Sequence, residues 1–125
     1  MIFLSLVTID SDTSTIYSLC GGEVPSTVKT IKYPESGEYL DNLHCTWTIS
    51  RPGETINATV TKLDIEPGHG CKWDNLQIGS GAKMCRDMPD KKFIGHGKLS
   101  ISFKSDGSNG YSGFTIKVTS AKEEG

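Results

Sequence analysis

Four carboxylates have types and spacing that could do chemistry. Asp64 and Glu66 stand two apart, Asp74 follows in "GCKWDNLQIG", and Asp106 sits in "FKSDGSNGYSGF". On a strand, a spacing of two puts Asp64 and Glu66 on one face. Two carboxylates flanking a substrate cleft could run glycosidase-type acid–base chemistry. A β-domain of this length, however, seldom offers a deep cleft. Calcium is the better use of the same residues, because Ca²⁺ takes about six to eight oxygens from carboxylates, carbonyls and amides. A turn holding Asp106, Ser108 and Asn109 among glycines can supply all three kinds. EF-hand spacing is absent, and the competing reading is a set of solvated acidic turns. Asp74 needs a partner under either reading. It lies between Cys71 and the apolar positions Leu76 and Ile78, and burying a lone carboxylate is costly.

Other chemistries find less support. His44, His69 and His96 accompany no GxSxG elbow and no Ser/His/Asp grouping. They read as exposed, His44 because it sits opposite Trp47 in the strand period. "GSGAK" and "GHGK" lack Walker spacing and precede no helix, so they read as hairpin turns rather than phosphate cradles. No catalytic residue is assigned, and the chain is expected not to be an enzyme.

The elements that must position these residues are strands. "CTWTIS" alternates Cys45, Trp47 and Ile49 with threonines, with Trp47 expected as a core anchor. The same period places Ile56, Ala58 and Val60 on one face, and likewise Leu76 and Ile78; Leu99, Ile101 and Phe103; Phe114, Ile116 and Val118. Turn signals separate them at Arg51-Pro52-Gly53-Glu54, Pro67-Gly68-His69-Gly70, Gly79-Ser80-Gly81 and Gly107-Ser108-Asn109-Gly110. No long window shows a helical period. The expected class is all-β, a sandwich or barrel of short strands.

Length and composition set the frame. The 125 residues suit one domain, and 35% hydrophobic with 22% charged residues suits a soluble globular one. A net charge of −2 argues against a nucleic-acid surface. No stretch approaches the roughly 20 apolar residues of a membrane span. Cys20, Cys45, Cys71 and Cys85 include no CxxC pair and read as two disulfides, hence an oxidising compartment. Three pairings are open. Neighbour pairing closes the shortest loops at the lowest entropic cost. Asn57-Ala58-Thr59 is an N-glycosylation acceptor, with Asn57 expected on the outward face. The start, "MIFLSLVTID", has an apolar run but no basic residue before Lys29. It reads as a leader remnant, an added strand or a fragment boundary.

In order along the chain, "CGG" at 20–22, "YPESGEYLDNLHCTWTI" at 33–49, "LDIEPGHGCKWDNLQI" at 63–78, Cys85, and "LSISFKSDGSNGYSGFTI" at 99–116 resemble a CUB domain, an extracellular module. The resemblance covers roughly Cys20 to Thr119, leaving 1–19 as an N-terminal extension and 120–125 as a flexible tail. It implies a two-sheet antiparallel β-sandwich with neighbour-paired cysteines, and in calcium-binding members one Ca²⁺ between loops at one end. Tyr39, Glu66, Asp74 and Asp106 match that group's pattern, with Ser108 and Asn109 placed to supply further oxygens. Position 73 departs slightly, with Trp where a tyrosine often stands. The implied roles are Glu66, Asp74 and Asp106 as metal ligands and Tyr39 as a hydrogen-bond partner orienting Glu66. Spare oxygens of Glu66 and Asp106, beside Trp73, would accept a Lys or Arg of an extracellular partner protein. The implied function is secreted, calcium-dependent protein binding within a larger modular protein. The alternative is a stand-alone secreted domain binding carbohydrate or cell and gamete surfaces.

Overall fold

The computed structural model describes residues 7–9, 15–86, 91–107 and 110–123. Eight strands follow in order: β1 (Val7–Ile9), β2 (Thr15–Tyr17), β3 (Gly22–Val24), β4 (Thr30–Tyr33), β5 (His44–Asp64), β6 (Asn75–Ile78), β7 (Lys91–Lys104) and β8 (Gly113–Lys122). A single 3₁₀ turn, His69–Cys71, stands before β6. The ladder runs β1-β2-β4-β8-β5-β7-β6, with β3 added alongside β5.

The architecture follows from a change of parity inside β5. Cys45, Trp47 and Ile49 are buried, and then Ile56, Ala58 and Val60 are. An odd run followed by an even run cannot share one face of an unbroken strand. The break is Arg51-Pro52-Gly53-Glu54, four residues that face only Gly97 on β7, since Ser50 pairs with Lys98 and Thr55 with His96. Here β5 and β7 pass together from one layer into the other, as corner strands do at bulges. One layer holds β3, β6, the first half of β5 and the second half of β7. The other holds β1, β2, β4, β8 and the remaining halves.

The layers meet through aromatic rings. Trp47 and Phe103 of the first lie 5.5 Å from Phe114 of the second, Trp47 edge-on at 89°. This is the favoured geometry for ring quadrupoles. Trp47 is fully buried, and its indole N–H donates to the Leu19 carbonyl at 2.9 Å. The chain is thus a β-sandwich closed by two disulfides, Cys20–Cys45 and Cys71–Cys85.

Two sequence expectations differ from the structure. "GHGK" is not a hairpin turn. It lies within β7, where it faces the wide β5 corner. The segment 120–125 is not all tail, because β8 runs through Lys122, paired with Glu54, and Glu123 N–H reaches the Gly53 carbonyl. The stretch before Cys20 is partly docked: β2 pairs in parallel with β4, and buried Tyr17 donates to the Gly21 carbonyl at 2.8 Å. Residues 1–6 and 10–14 lie outside the described residues.

The strand ends place loops 34–43, 65–74 and 105–112 at one pole. There Tyr33 pairs with Phe114, Asp64 with Gly113, and both His44 and Asn75 with Lys104. The opposite pole carries the β5 corner, His96 and the end of β8.

Candidate metal centre

Two of the loops at the first pole are fastened to each other. Tyr39 N–H donates to the Tyr111 carbonyl at 3.0 Å, and Asn42 N–H to the Asp106 carbonyl at 2.7 Å. Ser105 works in both directions: its hydroxyl donates to the Leu40 carbonyl at 2.8 Å and accepts from Leu43 N–H at 2.9 Å. The approach is close enough that a Cβ on Gly110 would collide with the Tyr39 carbonyl oxygen. The third loop is held by the Cys71–Cys85 disulfide and by the Asn75 amide, which donates to the Cys71 carbonyl at 3.2 Å.

Into this frame the structure brings Glu66, Asp74 and Asp106, with one carboxylate oxygen of each lying within 4.8 Å of the other two. Asp74 is the centre and is fully buried. Its Oδ2 accepts from the Tyr39 hydroxyl at 2.6 Å, and its Oδ1 from Asp106 N–H at 2.8 Å. Burial pushes the Asp74 carboxyl above its ordinary value and the nearby Asp106 charge adds to this, while the two hydrogen bonds oppose it. The Tyr39 hydroxyl is pushed far up by burial and by its bond to Asp74, so it stays a donor.

Tyr39 differs in detail from the role the sequence implied. Its hydroxyl proton goes to Asp74, and it meets Glu66 by accepting that residue's backbone N–H at 3.0 Å. One phenol therefore fixes one carboxylate directly and the backbone of a second. Asp64 does not join Glu66 on a common face, because β5 ends at Asp64. Its Oδ2 takes the Ser112 hydroxyl at 2.5 Å and Ser112 N–H at 3.1 Å, and Arg86 stands 3.5 Å from Oδ1. Ser108 and Asn109 lie outside the described residues. Trp73 is 45% exposed, its ring packed over Gly68, where a Cβ would overlap it, with the Lys72 ammonium 5.0 Å from its centroid. Sequence reasoning missed Ser105 as the tie between loops. Its place just before Asp106 in "KSDG" was the available signal.

The donor set is all oxygen and strongly anionic, which suits a hard cation such as Ca²⁺ rather than zinc or copper. Three carboxylates this close repel one another unless protons or a cation intervene.

Residues 20–118 match the sequence profile of the CUB domain. The chain belongs to the CUB domain family. This CUB domain is 34% identical over 110 residues to Embryonic protein UVS.2 of Xenopus laevis, a match covering 80% of this chain and 21% of that protein. Its fold is similar to the full extracellular region of zebrafish Gpr126/Adgrg6, with a TM-score of 0.76 and 22% identity, covering 83% of this chain and 15% of that one. It is also similar to the MASP-1 CUB2 domain, solved bound to Ca²⁺, with a TM-score of 0.62 and 21% identity, covering 82% of this chain and 95% of that one. No described helix is long and apolar enough to cross a membrane.

Proposed function

We propose that this CUB domain is an extracellular binding module, not a catalyst, whose acidic pole holds one Ca²⁺ and receives a Lys or Arg of a partner protein. The observation that carries this reading is the convergence of Glu66 and Asp106, both half-buried, on fully buried Asp74. These three carboxylates would hold the ion, with Ser108 and Asn109 as further oxygen donors. The ion supplies charge balance, allowing all three acids to stay ionised together. Tyr39 keeps Asp74 aimed and the Glu66 backbone in place. The half-buried rim acids, Glu66 and Asp106, then offer oxygen to a cationic side chain, and exposed Trp73 gives its stem an apolar surface. Such charge-assisted bonds give orientation and association rate more than raw affinity. By its similarity to one segment of UVS.2, the domain is proposed to act within a larger modular protein.

Thermal melts test the calcium reading. Ca²⁺ at about 100 times its dissociation constant should add about 2.7 kcal/mol of stability, and EDTA should remove it. Asp74→Ala should abolish the difference while disulfides and β-content persist. Identical melts in Ca²⁺ and EDTA would sink the proposal.

A further inference from the structure

The outer face of the second layer carries a band of lysines that the acidic pole does not use. Register defines it. Lys117 on β8 stands opposite Thr30 on β4 and Thr59 on β5, and Thr59 stands opposite Lys92 on β7. One row nearer the acidic pole, Thr115 on β8 stands opposite Lys32 on β4 and Lys62 on β5. The alternate positions Ile31, Val60 and Ile116 are buried in the core, so these rows lie on the opposite side of the sheet, open from Lys32 onward, while Thr30 at the β4 end is buried as well. In spatial strand order β4-β8-β5-β7, the band reads Lys32, Lys117, Lys62, Lys92, one ammonium per strand. Lys62, Lys92 and Lys117 are exposed, and Lys32 is half-buried.

Nothing described neutralises the band. The salt bridges among the described residues are Arg86–Asp64 and His96–Glu123, which mark its two margins. Asp64 feels the Lys62 charge but is bonded to Ser112 and Arg86. Between the margins, the outward positions of β8, β5 and β7 carry threonine, lysine, Asn57, Ile94 and Ala121. A chain with a net charge of −2 thus has, between these two margins, a stretch of sheet whose charged side chains among the described residues are all lysines.

We propose that this face binds a sulphated polysaccharide. Four strands at about 4.8 Å spacing spread the ammonium groups over roughly 14 Å. A compact anion needs donors converging on one point, whereas a line of separate charges on a flat face matches a linear chain with repeating anionic groups. The threonine hydroxyls between the lysines suit sugar hydroxyls. The site is independent of the calcium pole.

Immobilised heparin is the probe, with the full disulfide-bonded chain applied over a range of salt. Wild type should bind, and Lys92→Gln/Lys117→Gln should lower the slope of log affinity against log salt by roughly 1.5 to 2, as expected for two lost counterion-releasing contacts. Lys83→Gln/Lys104→Gln, two exposed lysines outside the band, should leave the slope unchanged, and EDTA should not affect binding. The four substitutions replace exposed side chains and should leave the melting temperature in place. The proposal is overturned if the control pair weakens binding as much as the band pair. It is equally overturned if EDTA abolishes binding, or if desulphated heparin or polyglutamate competes as well as heparin.

Discussion

At the scale of single residues, Tyr39 is the most instructive side chain. Its ring packs edge-on against Phe103 with centroids 4.8 Å apart, while its hydroxyl serves Asp74 and Glu66 N–H. Tyr39→Phe keeps the ring and strands a buried acceptor and donor, so urea denaturation of the calcium-free protein should show a loss of about 1–3 kcal/mol. Calcium affinity should fall as well, because Asp74 loses the bond that aims it. Asp64 offers a pH test at a carboxylate outside the Glu66, Asp74 and Asp106 cluster. The Ser112 hydroxyl, then Ser112 N–H and the Arg86 and Lys62 charges, hold its carboxyl below the usual value against a smaller opposing effect of burial. A depressed carboxyl contributes stability above its unfolded value, about 3.9, and loses it as pH falls through the lower folded value. Asp64→Asn should therefore flatten the acid limb of the stability profile below about pH 4. An unchanged limb would show that Ser112 and Arg86 do not favour the charged form.

At the scale of elements, the strand period made most of the fold legible. The alternations at Cys45, Trp47 and Ile49, at Ile56, Ala58 and Val60, and at Phe114, Ile116 and Val118 are all core positions. "GHGK" was misread because glycines that ordinarily punctuate turns here let β7 follow the β5 corner. The extent of β8 was hidden for a related reason: Ser120 is polar, yet it takes the Arg51 guanidinium at 2.9 Å and donates to Glu54 at 2.7 Å. Long-range partners of this sort leave no local signal. The sequence named the three carboxylates that the fold brings together, Glu66, Asp74 and Asp106, but the bond from Tyr39 to Asp74 spans 35 positions and appears only on folding. The Cys71–Cys85 link is the element that couples fold to site. Replacing both cysteines with serine should cost about 3 kcal/mol by the chain-entropy model. Calcium affinity should drop further than stability does, since the loop carrying Asp74 loses its anchor. A calorimetric titration showing wild-type affinity would place the anchor elsewhere.

At the scale of the whole molecule, the sandwich separates its duties. The aromatic core joining the two layers contains none of the three clustered carboxylates, so EDTA is expected to lower the melting temperature without erasing the β-sheet signal in circular dichroism. Circular dichroism showing loss of sheet at room temperature in EDTA would mean that the acidic pole holds the layers together. On the two proposals above, the lysine band on the flat of the second layer and the acidic cluster at its end would let a polysaccharide and a protein be held at once. Placement of β8 has a further, mechanical meaning. It begins at Gly113 beside the acidic pole, ends at Lys122 beside the β5 corner, and is bonded on both sides, to β4 and β5. Tension between a partner gripping the acidic pole and chain leaving beyond Glu123 would run lengthwise along this strand. Its two ladders would then be sheared as a group rather than peeled bond by bond, the loading direction in which a sheet resists rupture best.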